Sequence, residues 1–214
     1  MKRLSLFSFF LALLFVSSCA SFQAAGQIQA GRVALFKDEP AIAAAHFRRA
    51  AEVDPNYLMN FGVYSQGVWG YVGRTEYLTG NFPQARRSLE RAVTQYNDDY
   101  LARIYLGLTL ARGGDDGGRQ SGLGELQSGM KGIHAWLDHI EYNTQRGRFW
   151  DPEKKIRSEI ENSLAMISVK QVNWEQLTAS GEWIGRTMER EIDEARLDEI
   201  HDQNKDSDSG DPFS

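Results

Sequence analysis

The sequence predicts an all-α fold, in which about three helix-turn-helix units form a solenoid and further helices cap its C-terminal end. Three features predict this fold. Small residues recur at the spacing of one helical face, a glycine-centred motif returns twice, and Gly or Asn occurs between helical segments. The chain is 42% hydrophobic and 25% charged, as in an ordinary globular domain, and its single cysteine excludes an internal disulfide.

The first element is a targeting segment. Lys2 and Arg3 supply positive charge, and the run Leu4–Val16 is apolar apart from two serines. At about 1.5 Å per residue, this run would be about 20 Å long as a helix, too short for a hydrocarbon core of about 30 Å. A positive start, a short apolar run and small residues, in that order, indicate a secretory signal peptide, which we expect over residues 1–18.

The segment Val16–Cys19 resembles the lipobox of bacterial lipoproteins, in which a lipid is attached to the cysteine and cleavage follows before it. The resemblance implies that Cys19 becomes a lipid-bearing N-terminus, held in the membrane by several acyl chains. Ala20 stands where many inner-membrane lipoproteins carry aspartate, which implies the periplasmic face of the outer membrane. Two alternatives stay open: a plain signal peptide with an incidental cysteine, or an uncleaved anchor.

The first repeat is carried by Gly31, Ala43, Phe47, Ala50 and Pro55. Their order and spacing resemble the tetratricopeptide repeat (TPR), which has Gly in its first helix, Ala, Phe and Ala in its second, and Pro at the end. The small residues have a mechanical reason, because helices that cross at about 8–10 Å need Gly or Ala where their backbones meet. The alternative is a generic Ala-rich helical bundle.

The pattern returns after the apolar segment Leu58–Tyr71, which we expect to lengthen the first helix of the second repeat. Trp69–Gly73 match the first helix of a TPR, Thr79–Asn81 form the turn, and Ala85 and Leu89 match the second helix.

A third copy begins thirty-four residues after Gly73, at Gly107, and this interval is the TPR period. Its second helix matches through Gly122, Leu126 and Gly129 only if three residues are inserted in the turn.

Further helices are expected after the repeats, and their polar outer faces suit them to cap a solenoid. They cover Ile133–Gln145, a segment with Asp151 as its N-cap, and a last helix from Asn173 or Ser180 to His201. The last helix is expected to bury Leu177, Ile184, Met188, Ile192 and Ala195. The predicted organisation is a signal peptide at 1–18, TPR-like repeats at 19–130, a helical cap at 131–203 and a disordered acidic tail at 204–214.

No motif in the sequence indicates catalysis. The chain lacks the GxSxG and HExxH motifs. His134 and His139 are five positions apart, which turns them about 140° from each other on a helix and does not suit a shared metal. A net charge of −5 without a basic cluster gives no footprint for nucleic acid. We therefore predict a non-enzyme without cofactor or metal, and a hydrolase with an unrecognised site is the remaining alternative.

By resemblance to TPR arrays, the first helix of each repeat lines a concave groove that binds a partner. Arg32 and Arg74 occupy the same repeat position, directly after the glycine, and two arginines can grip a carboxylate-bearing peptide through bidentate hydrogen bonds. The alternative is that both arginines form surface salt bridges. The expected groove residues are Ile28, Arg32, Phe36, Trp69, Arg74, Tyr77, Ile104 and Leu108.

The two resemblances together imply a lipid-anchored scaffold that binds envelope proteins or peptides on the periplasmic face of the outer membrane. A resemblance at the level of the fold does not select the partner. The alternative is an accessory solute-binding component of a transport system. Its pocket would lie among Tyr64, Trp69, Tyr71 and Tyr77.

Overall fold

The computed structural model describes residues 20–61, 64–113, 116–169 and 171–208, and these residues are mostly helical, as the all-α prediction requires. The predicted signal peptide, Cys19 and residues 209–214 lie outside the described residues. Among the described helices, none is both long enough and apolar enough to cross a membrane.

The described residues form eight α-helices, one β-hairpin and one short 3-10 helix. The α-helices are α1 (20–36), α2 (Pro40–Val53), α3 (Val68–Leu78), α4 (Phe82–Gln95), α5 (Tyr100–Gly113), α6 (Asp116–Asn143), α7 (Lys155–Ile167) and α8 (Trp174–Asp208). The hairpin consists of β1 (Leu58–Phe61) and β2 (Tyr64–Gly67), and the 3-10 helix covers Arg146–Phe149.

Three consecutive helix pairs share one packing contact. In each pair, a glycine of the first helix meets a large apolar side chain of the second: Gly31 meets Phe47, Gly73 meets Leu89, and Gly107 meets Leu126. A Cβ atom added to these glycines would lie 2.4, 2.4 and 2.6 Å from the facing side chain, closer than real Cβ atoms approach. Glycine is therefore what allows each pair of helices to pack this closely.

The expectation that Leu58–Tyr71 lengthens α3 is wrong, because Leu58–Phe61 and Tyr64–Gly67 pair as two antiparallel strands. In this hairpin the paired residues Met59 and Gln66 are buried, whereas the next pair, Asn60 and Ser65, is exposed and joined by a hydrogen bond of 2.6 Å. Alternating burial is the pattern of a half-buried strand and not of a helix. Helix α3 begins only at Val68.

The expected separate helix over Ile133–Gln145 is instead the second half of α6, which runs without a break from Asp116 to Asn143. The predicted boundary between residues 130 and 131 lies inside this helix. Two glycines hold its first half against α5, since a Cβ atom on Gly122 or Gly129 would lie 2.7 Å from a backbone oxygen of that helix. One hydrophobic core runs from α1 to α8.

Helix α7 begins at Lys155, four residues later than the expected N-cap position at Asp151. The Asp151 carboxylate still caps this helix, because it accepts hydrogen bonds from the backbone N–H groups of Ile156 (2.9 Å) and Arg157 (3.1 Å). Asp151 adopts a left-handed backbone conformation, with φ of 50°, and this brings its side chain back over the first turn.

Helix α8 buries the apolar face that the sequence predicts. Five side chains along it are 0% exposed: Leu177, Ile184, Met188, Ile192 and Ala195. The helix continues to Asp208 and therefore includes the first residues of the segment predicted to be a disordered tail.

We expect Gly73→Ala to lower the free energy of unfolding by about 1–3 kcal/mol, because the added methyl group must displace Leu89. Gly26→Ala is the matched control, since Gly26 lies in α1 with no atom within 4 Å of an added Cβ. That substitution should raise the free energy of unfolding by about 0.5–1 kcal/mol through helix propensity. Urea unfolding of the two variants measures both effects, and a gain in stability for Gly73→Ala would contradict the packing described here.

Candidate functional site

The predicted partner-binding groove is occupied by the protein's own last helix. Helix α8 lies against α1, α3 and α5, which are the first helices of the three pairs. It approaches α5 closely at two glycines: a Cβ on Gly181 would lie 3.1 Å from the Leu108 side chain, and one on Gly185 would lie 2.2 Å from the Tyr105 hydroxyl. The packing leaves no space for a partner between α8 and α5 at these positions.

Glu189 of α8 bridges the two predicted groove arginines. One carboxylate oxygen accepts a hydrogen bond from Arg32 Nε, and the other accepts one of 2.6 Å from Arg74 Nη1. The exposed fractions of the three side chains are 0%, 2% and 2% for Arg32, Arg74 and Glu189. Arg32 Nη2 also donates to the half-buried carboxylate of Asp193, at 3.1 Å. Two buried cations therefore share one buried anion, and a second, partly exposed anion balances the charge.

Aromatic rings flank both guanidinium groups. The Arg32 guanidinium carbon lies 4.8 Å from the ring centre of Phe61 and 5.8 Å from that of Phe36, and the Arg74 carbon lies 5.4 Å from the ring of Tyr105. Burial alone lowers the pKa of Arg74, but Tyr105 and Glu189 outweigh this effect and the net pKa is raised. The arginine therefore stays charged although it is buried.

Two other predicted groove residues also contact α8. The Tyr77 hydroxyl donates a hydrogen bond of 2.7 Å to Glu182, which also accepts one of 3.0 Å from Arg112. Burial, followed by these contacts with Glu182, raises the pKa of Tyr77. Leu108 packs against Gly181. Helix α8 thus contacts four of the predicted groove residues: Arg32, Arg74, Tyr77 and Leu108.

The remaining predicted groove residues lie elsewhere. Ile28 is buried in the core, and Ile104 packs against Gly129 of α6. Trp69 donates a hydrogen bond of 2.8 Å to the backbone oxygen of Pro55 and lies under the guanidinium of Arg91. Phe36 is 45% exposed at the end of α1.

The burial of apolar side chains on α8 shows that this helix is part of the core. Four large side chains of α8 are 0% exposed. Burial of each contributes about 1.5–3 kcal/mol, and the four together contribute on the order of 10 kcal/mol. The face of α1, α3 and α5 that α8 covers therefore belongs to the core and is not an open docking surface.

The aromatic residues expected to form a solute pocket do not line a common cavity. Tyr71 is 0% exposed and its ring stacks on Phe47 with 4.8 Å between ring centres. Tyr77 faces α8, Trp69 lies beside Pro55, and Tyr64 packs in a cluster with Trp136 and Trp150.

Several recesses that the sequence analysis missed remain open on the surface, and two of them are described here. The larger, of about 1120 Å³, lies between α4 and the α5–α6 pair. The smaller, of about 460 Å³, lies between the hairpin, the 3-10 helix and α8, and we name it the α8–hairpin cavity. Its lining consists of Asn60, Phe61, Arg146, Trp150, Ile192, Arg196, Glu199 and Ile200. A sequence signal for the hairpin beside it is polar Asn60 between the apolar residues Met59 and Phe61.

Asp99 joins the N-terminal ends of α3 and α5. One carboxylate oxygen accepts from the Ala102 N–H at 3.0 Å, as an N-cap does, and the other accepts from the Gly67 N–H at 3.2 Å. The side chain is almost completely buried, and this burial raises the pKa of Asp99 to about 7 although the two N–H groups oppose the shift. The sequence analysis did not single out this residue.

Within the described ranges, no group of three or more His, Cys, Asp or Glu side chains is placed to hold a metal ion. His134 instead contacts Asp138 at 3.1 Å and Glu161 at 3.2 Å. Comparison of the chain with known proteins gave no matching family model, no matching curated protein and no matching solved structure.

We expect Glu189→Gln to lower the free energy of unfolding by about 3–5 kcal/mol, because it leaves two buried guanidinium groups without a buried anion. Glu194→Gln, at an exposed position on the same helix, should change stability by less than about 0.5 kcal/mol. Urea unfolding at constant pH compares the two variants. Equal stability of both would mean that the bridge contributes nothing to the fold.

A second prediction concerns pH. An acid with a raised pKa in the folded state binds its proton more tightly there, so its contribution to stability increases as the pH falls from about 7 towards 4. Between pH 8 and pH 5, Asp99 should therefore add about 1–3 kcal/mol to the free energy of unfolding. Asp99→Asn should flatten this profile, and Asp38→Asn, at an exposed position away from Asp99, should not. Parallel profiles for Asp99→Asn and the unmodified chain would contradict the assignment.

Proposed function

We propose that this chain is a lipid-anchored scaffold of TPR-like repeats on the periplasmic face of the outer membrane, where it binds envelope proteins. The observation that supports the repeat architecture best is the glycine contact that recurs in three consecutive helix pairs, at Gly31, Gly73 and Gly107. Stacked helical units that share one packing contact are the basis of solenoid scaffolds, whose usual activity is protein binding.

The position of α1 is consistent with a short tether. Residue 20, directly after the proposed lipid attachment site Cys19, is already helical. An attachment site beside this helix would hold the scaffold close to the membrane surface. Phe22, near the start of the described part of α1, is 81% exposed and would lie beside the acyl chains.

The outer surface, and not the groove, is the proposed site of partner binding, because α8 fills the groove. The recess between α4 and the α5–α6 pair is the larger of the two described above. Two of its charged residues are already paired, Arg86 with Glu90 at 2.7 Å and Glu125 with Arg103 at 3.0 Å. Arg87 also lines the recess, and its positive charge has no ion-pair partner among the described residues. We infer that the recess takes an acidic segment of a partner protein.

The test is in-cell crosslinking of the tagged chain, followed by identification of the proteins that co-purify from the membrane fraction. We expect a defined envelope protein to crosslink, and Cys19→Ala to release the chain into the soluble fraction and lose that protein. Arg87→Glu should weaken the crosslink. Its matched control, Arg48→Glu on the exposed face of α2, should not.

Two outcomes would contradict the proposal. If Cys19→Ala stayed in the membrane fraction, the lipid anchor would be wrong. If the membrane-bound chain crosslinked to no protein, the scaffold function would be wrong.

A further inference from the structure

We propose that the α8–hairpin cavity binds an amphipathic carboxylate, which is a molecule with a carboxylate group on an apolar body. The proposal is independent of the scaffold function, since it depends neither on the lipid anchor nor on the recess beside α4. It rests on the shape, polarity and unpaired groups of the cavity.

Part of the cavity lining is apolar. Ile192 is 0% exposed and Trp150 is 3% exposed, so both lie at the inner end, whereas Ile200 is 44% exposed and lies towards the mouth. The ring of Phe61 from the hairpin forms part of the same lining. A cavity of about 460 Å³ with such a wall falls in the range of small-molecule sites, which is about 300–1,000 Å³. The apolar body of a small ligand therefore fits here, and a folded partner does not.

The charged residues of the lining carry a net positive charge. Arg146, Arg196 and Glu199 are its charged lining residues, and Arg146 approaches Glu199 only to 3.6 Å. Arg196 has no ion-pair partner in the described part of the chain, and its guanidinium carbon lies 5.7 Å from the centre of the Phe61 ring. In a chain of net charge −5, this local excess of positive charge favours an anion.

The guanidinium of Arg196 offers charge-assisted N–H donors beside apolar lining residues, which is the arrangement that an amphipathic carboxylate requires. Trp150 contributes its buried ring to the same lining.

Two sources present this chemistry: a medium-chain fatty acid, and the C-terminal carboxylate of a peptide that ends in an apolar residue. The first probe set is decanoate, with decyltrimethylammonium and decyl maltoside as controls of equal chain length. The second set is a blocked tripeptide ending in phenylalanine, with a free carboxylate or as its amide. Binding is measured by isothermal titration calorimetry on the Cys19→Ala chain, purified without detergent.

We expect one of the two carboxylates to bind at a single site, and its cationic, neutral or amide counterpart to bind at least tenfold more weakly. Arg196→Gln should weaken carboxylate binding about ten- to a hundredfold, which corresponds to the loss of one charge-assisted hydrogen bond. Arg190→Gln is the matched control, because Arg190 is exposed on the same helix and does not line the cavity. Circular dichroism establishes that both variants keep the fold.

Which carboxylate binds identifies the source of the ligand. The proposal is overturned if neither carboxylate binds. It is also overturned if the decyl controls bind as tightly as decanoate, or if Arg196→Gln and Arg190→Gln affect binding equally, because each result would mean apolar adsorption without recognition of the carboxylate.

Discussion

The bridge formed by Glu189 between Arg32 and Arg74 is the constraint on which the rest of this structure depends. In the low dielectric of a core, a guanidinium group without an anion is costly, and here two such groups are buried side by side. Helix α8 must therefore present Glu189 to α1 and α3 at once, which fixes both its position along the groove and its rotation. The apolar face of α8 and its two glycines then complete the fit against α5. As a consequence, the side of the helix pairs that faces α8 is interior, and binding is left to the outer surfaces and to recesses such as the α8–hairpin cavity.

Features that are periodic along the chain could be predicted from the sequence. The interval between Gly73 and Gly107 gave the register of two helix pairs, and the spacing from Leu177 to Ala195 gave the buried face of α8. The equivalence of Arg32 and Arg74, and their suitability for a carboxylate, could also be read from their common position. The carboxylate itself could not, because Glu189 is 157 positions away from Arg32 and periodicity carries no information on pairing over such a distance.

The hairpin and the cavity beside it were missed for a different reason. Four-residue strands contain too few residues for their alternation to outweigh an apolar composition that also suits a helix, and the sequence match at Trp69 favoured a longer helix. The role of Asp99 was missed because its two N–H partners, at Ala102 and Gly67, belong to the starts of different helices. Sites assembled from several elements require the tertiary arrangement before any of their members can be recognised.

In a solenoid each unit contacts only its neighbours. The contact between Arg32 and Glu189 departs from that pattern, since it joins the first described helix to the last. During synthesis the helix pairs leave the ribosome long before Glu189 does. They can complete their core only after α8 has followed. A chain cut before α8 would keep all three helix pairs and still lack the anion that its core requires. The described helices therefore behave as one unit, in which α8 determines whether α1 and α3 can complete their packing.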